Sequence, residues 1–143
     1  MPPTQDELLA RLKAYQDVLE EAARIGPPRF EQAFANPPAG IAVHEFDSGG
    51  IRRVNREELR ILGYTAEQML GRPIWAFVVM ESASKESVQK KLSGEKDIKP
   101  FVRTFRKADG SGVAMLLFDR RLYDAKGQPV GIRTAMVEVG LKD

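Results

Sequence analysis

The sequence has no cysteine, one histidine and one tryptophan. The missing cysteines exclude disulfides, thiolate metal ligands and thiol nucleophiles. His44 stands alone as an imidazole, so a metal site would need carboxylates to complete it, and Glu45 beside it on a strand points to the opposite face. A lone strand histidine reads as a surface or packing residue. Ser82, Ser84, Ser87 and Ser93 supply hydroxyls, but no Gly-x-Ser-x-Gly elbow surrounds them and His44 has no evident orienting partner. Nucleophilic catalysis therefore lacks its parts. Apolar runs are short, and none approaches the roughly 18 residues of a membrane-spanning helix. The opening Met1-Pro2-Pro3-Thr4-Gln5-Asp6-Glu7 is acidic where a signal peptide would be basic and then apolar. The expectation is a cytoplasmic protein without enzymatic activity.

Charge of one sign is scarce too. The 22 basic and 20 acidic side chains leave a net charge of +2. Arg52-Arg53, Arg106-Lys107 and Arg120-Arg121 are each interrupted by apolar neighbours or acids. Such pairs suit solvated strand edges, so no nucleic-acid partner is expected. The glycines of Asp47-Ser48-Gly49-Gly50 and Ala108-Asp109-Gly110-Ser111-Gly112 lack phosphate-loop and dinucleotide spacing and read as turns. Glu20-Glu21 and Glu57-Glu58 read as solvated charge on helices.

What is present is a strong alternation of structural signals over 143 residues, enough for one domain with its own core and an appended helix. Residues 4–25 predict a helix. Thr4 with Glu7 makes a capping box, and Leu8, Leu12, Tyr15, Leu19 and Ala22 recur at spacings of four, three, four and three. That 3.5-residue period suits a coiled-coil seam, or a single amphipathic helix on its own core, with Leu9 and Val18 widening the stripe. Gly26-Pro27-Pro28 ends it. Phe30–Ala35 predicts one further turn. Strands are expected at 40–46 and 51–54, then a helix capped by Asn55 with Glu58 as its capping-box partner. Thr65 with Gln68 starts a short helix, residues 73–79 form an apolar stretch with a single helical turn, and Ser84–Ser93 forms a longer helix. Three strands follow at about 101–107, 112–123 and 129–139. In the middle strand Val113, Met115 and Leu117 share one face with Asp119, while Ala114, Leu116 and Phe118 share the other. A strand apolar on both faces is covered on both, one cover being the short helices and the other the N-terminal helix or a partner subunit.

Several stretches together resemble the PAS domain, the sensory module of bacterial signal-transduction proteins, over about residues 30–139. They are Asn36-Pro37-Pro38-Ala39-Gly40-Ile41-Ala42-Val43, Val54-Asn55, the run from Leu62-Gly63-Tyr64-Thr65 to Leu70-Gly71-Arg72-Pro73, Arg106-Lys107-Ala108-Asp109-Gly110 and Asp124–Gly131. The resemblance implies an α+β fold: a five-stranded antiparallel sheet in order 2-1-5-4-3, with short helices on one face around a pocket and the amphipathic helix appended. It divides the chain into a helix and Pro linker (1–28), the PAS domain (29–139) and a tail (140–143). Family members sense ligands, light or redox state and signal to an attached kinase or cyclase, so a ligand-binding module relaying through its terminal helix or last strand is expected. A constitutive homodimerisation module with a filled core is the alternative.

Departures from the family pattern narrow the cofactor. Gly71-Arg72-Pro73-Ile74 puts isoleucine where flavin photosensors carry the reactive cysteine, which excludes adduct chemistry. The 84–93 helix has no histidine for haem. Val139–Asp143 lacks the Asp-Ile/Val-Thr-Glu signature that leads to output domains, so the cofactor and the output domain stay unnamed. If the core holds a pocket, Trp75, Phe77, Phe105, Leu117 and Met136 are its expected lining, with Arg103 as polar anchor for a carboxylate or phosphate; the alternative is that the apolar residues fill the core and Arg103 stays on the solvent side. A symmetric homodimer is expected with Leu8, Leu12, Tyr15 and Leu19 near its axis and Leu116 and Phe118 beneath them.

Overall fold

Thr4 donates its backbone N–H to Glu7 and accepts the Glu7 N–H on its hydroxyl, so the first helix, α1 (Gln5–Ile25), starts at a reciprocal cap. The structure, a computed structural model, describes residues 2–95 and 97–140. Gly26, at φ 149°, turns the chain directly into α2 (Pro27–Ala35). Pro27 and Pro28 thus begin a helix as well as ending one, because a first-turn N–H has no helical acceptor to lose. The expected 1–28 segment therefore contains no free linker: its last two residues already belong to α2.

The strands β1 (Ile41–Asp47) and β2 (Gly50–Val54) form a hairpin, and α3 (Arg56–Leu62) and α4 (Ala66–Met69) follow. A 3₁₀ turn (Ile74–Phe77) leads into α5 (Glu81–Ser93). The hairpin strands β3 (Phe101–Arg106), β4 (Gly112–Tyr123) and β5 (Pro129–Glu138) complete one antiparallel sheet in order β2-β1-β5-β4-β3, the order expected. α5 begins three residues before the expected Ser84, at a Met80 that offers no capping side chain.

Both sheet edges are occupied by the segment around the 3₁₀ turn. Ile51 and Gly71–Arg72 exchange backbone hydrogen bonds of 2.9 and 2.8 Å outside β2. Val78 bridges to Phe105, and the Val79 N–H donates to Thr104 O at 3.0 Å outside β3. Gly50 lies against this strap so closely that a Cβ there would meet the Gly71 backbone at 2.6 Å, and its φ of 114° disfavours a side chain on its own account.

Alternation along the strands produces two cores. The inner one, under α3, α5 and the 3₁₀ turn, gathers Phe46, Ile51, Leu62, Met69, Phe77, Phe105, Met115, Leu117, Ile132 and Met136. The outer one gathers Leu8, Leu12, Tyr15 and Leu19 of α1, Phe30 and Phe34 of α2, and Ile41, Val43, Leu116 and Val137 of the sheet. Phe118 packs at its margin. The stripe expected near a twofold axis is therefore covered within one chain: Leu12 and Leu19 are both 0% exposed. Val18, expected to widen the stripe, stays exposed.

Polar contacts fix α1 on the sheet. Gln16 is fully buried, donates through Nε2 to Phe118 O and Arg133 O at 3.0 and 2.8 Å, and accepts from Arg133 Nε at 2.8 Å. Arg133 also reaches Glu45 at 3.2 Å, and Arg120 pairs with Asp17 and Glu20. The Arg120-Arg121 pair is thus partly spent on the fold.

Candidate functional site

One row of residues across the sheet is polar where its neighbours are apolar. His44 on β1 pairs with Thr134 on β5, and Thr134 with Asp119 on β4. All three face the inner core and are at most 3% exposed. Thr134 Oγ1 donates to Asp119 Oδ1 at 2.6 Å, and Lys91 Nζ descends from α5 to Asp119 Oδ2 at 3.1 Å. His44 Nδ1 lies 2.8 and 2.9 Å from the two oxygens of Glu58 on α3. A carboxylate only accepts, so Nδ1 carries the proton. The Nε2 on the other side of the ring has no hydrogen-bond partner among the described residues.

That arrangement sets the charge on His44. Burial disfavours the imidazolium, but Glu58 by charge and hydrogen bond, with smaller contributions from Asp119 and Glu45, outweighs it and raises the pKa above the ordinary 6.5. His44 is neither a surface residue nor simple packing. Glu58 is neither solvated charge nor a capping-box partner: Asn55 caps α3 through its Oδ1, while the Glu58 side chain turns inward to the ring.

The row borders a cavity of about 20 Å³ between the sheet, α5 and the 3₁₀ turn, room for one water-sized group. Arg103, Phe105 and Leu117, all expected lining residues, do line it, joined by His44, Lys91 and Phe101. Phe77 and Met136 are buried in the inner core away from it, Phe77 edge-on to Tyr64 at 4.9 Å between ring centroids. Trp75 is half-buried against the inner core, outside the cavity lining, with Lys85 over its ring. The 3₁₀ turn explains the difference, because it presents Ile74, and the following Val78, to the cavity in place of Trp75 and Phe77.

Outside the cavity lies an open groove of about 940 Å³ between α5, β3 and the residues Asp97, Lys99 and Pro100 that precede β3. Lys91, Phe101 and Arg103 line both spaces. Two cations lie over Phe101, with Lys91 Nζ 3.8 Å and Arg103 Cζ 5.0 Å from its ring centroid. Burial lowers the Arg103 pKa, and Asp119 partly offsets this. No group of three or more His, Asp or Glu side chains that could hold a metal ion occurs among the described residues. None of the described helices is long and apolar enough to cross a membrane.

His44, Glu58, Lys91 and Thr134 were missing from the expected site, although the sequence carried a faint signal for three of them. His44 alternates with the apolar Ala42 and Phe46 on one strand face, Glu58 stands four before buried Leu62, and Lys91 three after buried Val88. A polar residue on an apolar stripe is the mark of a buried polar site.

Among solved structures, the chain is similar to the PAS domain of an HTR-like protein from Haloarcula marismortui, with 28% identity and a TM-score of 0.65. That match covers 89% of this chain and 99% of the other. A PAS domain from Colwellia psychrerythraea matches at 18% identity and a TM-score of 0.67, covering 78% and 95%. The Rhodobacter sphaeroides LOV protein matches at 16% identity and a TM-score of 0.63, covering 90% and 68%. No curated protein matches. A family model described as PAS domain matches residues 38–140, so the chain belongs to the PAS domain family.

Proposed function

We propose that this chain is a non-enzymatic sensory module that binds a small ligand at the inner cavity and relays the change through α1 or β5. The observation that carries the reading is the fully buried His44 whose Nε2 is unpaired beside a cavity, since a buried polar nitrogen without a partner is costly unless something comes to meet it. A ligand bound there favours one packing of sheet and helices over another by its differential affinity. The route outward is supported by strand parity. His44 and Thr134 face the cavity, and their neighbours Glu45 and Arg133 face α1, where Arg133 holds Gln16. PAS domains often sit beside output domains and in dimers, and a cytoplasmic homodimer feeding a kinase or cyclase belongs to the same proposal.

A thermal-shift screen of neutral, anionic and cationic metabolites tests the reading, because a ligand that binds only the folded state raises the melting temperature by mass action. A saturable rise accompanied by movement of the His44 ring resonances is the expected result. A diverse screen that moves neither sinks it. That outcome would favour the second reading, a homodimerisation module with a filled core, to which the small cavity volume of about 20 Å³ lends support.

A further inference from the structure

We infer that the inner cavity receives the head group of a small monocarboxylate anion, bound by His44 Nε2 and the Arg103 guanidinium, and that Phe101 is the ring that moves to admit it. The inference rests on the ligand-sensing reading above and specifies the class of ligand. Charge is the first ground. The basic groups at the cavity are His44, Lys91 and Arg103, and the carboxylates facing them are Asp119 at the cavity and Glu58 behind His44, while Glu45, on the opposite sheet face, is already balanced by Arg133. With the ring protonated, three cations meet two anions, a surplus of one positive charge in a largely desolvated space. A single negative charge balances it. A dianion would set its second charge against Asp119 and Glu58, at a cost that low dielectric magnifies.

Hydrogen-bonding capacity is the second ground. Glu58 takes Nδ1 and Asp119 takes Lys91, whereas Nε2 has no partner among the described residues and Arg103 stacks on Phe101 without an ion pair among them. The donors left over are an imidazole N–H and a planar fork of guanidinium N–H groups, and both suit the two oxygens of a carboxylate.

Access is the third. A space of about 20 Å³ takes one small group, so an acid with a hydrocarbon tail needs room beyond it. That room is the groove of about 940 Å³, and Phe101 stands at the boundary. Swinging the ring joins the two spaces and frees the Lys91 and Arg103 faces that it covers.

Because His44 is the sole histidine, its ring nitrogens and Hε1 report on the site without assignment ambiguity. The ¹⁵N-labelled chain is titrated at pH 6 and constant ionic strength with acetate, propionate and butyrate, and separately with propionamide, methylammonium and chloride. The expected result is a saturable shift of the Nε2 and Hε1 signals with at least one carboxylate and none of the other three. Arg103→Gln should weaken that binding by about tenfold or more, the scale of a lost charge-assisted bond, and Arg103→Lys by less. Phe101→Ala should speed exchange between free and bound signals. Saturation by propionamide, methylammonium or chloride, with no carboxylate response, overturns the ligand class and leaves the sensory reading standing. Silence from every compound in both the wild type and the Phe101→Ala variant overturns this inference, and silence across the wider metabolite screen as well removes the sensory reading.

Discussion

Replacing Glu58 by glutamine preserves its shape and an acceptor for the His44 Nδ1–H but removes the negative charge. Both side chains are at most 1% exposed, so solvent screens the pair very little. A charge-assisted hydrogen bond contributes about 1.5–3 kcal/mol and a neutral one about 0.5–1.5, which puts the loss at about 1–2 kcal/mol. For a chain of this length that corresponds to a fall in melting temperature of roughly 3–7 °C. The effect has a defined pH dependence. The folded-state pKa of His44 lies above the unfolded value of 6.5, so the pair's contribution is fully present below 6.5 and is lost as pH rises through the folded pKa. Glu45 and Asp119 act in the same direction from β1 and β4, while Lys91 and Arg103 face the same cavity with opposite sign. The gap between wild type and Glu58→Gln should therefore be widest near pH 5.5–6 and narrow above the folded pKa. Urea unfolding at half-unit pH intervals measures it, and NMR titration of the Hε1 proton gives the pKa directly. In the variant burial has less to oppose it, so the His44 pKa should fall well below the wild-type value. A gap that stays constant from pH 5.5 to 9, or widens with pH, would refute the account of a buried ion pair.

Other perturbations address the frame around the site. Leu12→Ala should cost about 2–5 kcal/mol in urea unfolding with little change in the denaturant slope, because Leu12 is fully buried between α1 and the sheet. Gln16→Leu should cost about 1–3 kcal/mol by leaving Arg133 Nε and two strand carbonyls without their partner, and amide exchange should rise first in α1. Gly50→Ala should destabilise by more than 1 kcal/mol, since it combines a positive φ with a backbone clash, and an unchanged melting temperature would contradict the close packing described at Gly71.

The legible part of the fold was the part written in local chemistry. The Thr4–Glu7 and Thr65–Gln68 boxes, the turns at Asp109-Gly110 and 124–127, and the two-faced β4 each combine a short-range signal with an unambiguous period. Boundaries slipped where no side chain marks them, at Met80 before α5, and where prolines serve as a stop and a start together, at α2. The site was less legible because its partners are distant in sequence: His44 and Glu58 are 14 residues apart, Lys91 and Asp119 28, and Gln16 and Arg133 117. Asn55 illustrates the ambiguity. Its cap and the position of Glu58 fit a capping box equally well, and only the packing of α3 on β1 turns the carboxylate toward the ring. Strand parity groups Arg103 with Phe105 and sets Leu117 on a matching face of the next strand, but it leaves open which side of the sheet that is; the packing of α5 and the 3₁₀ turn makes it the inner one.

The strap from Gly71 to Val79 hydrogen-bonds to β2 at one end and to β3 at the other, and these are the two outermost strands. A free sheet edge invites another chain to add a strand, and here each edge is blunted at the point where the strap touches it. The same tether makes the sheet's curl and the space beneath it mutually dependent. Flattening the sheet draws β2 and β3 apart and pulls the strap taut across Ile74 and Val78, whereas widening the space lifts the strap and loosens its grip on one edge. A guest beneath the strap would be felt as tension on strands at both ends of the sheet, including β2, which takes no part in lining the cavity.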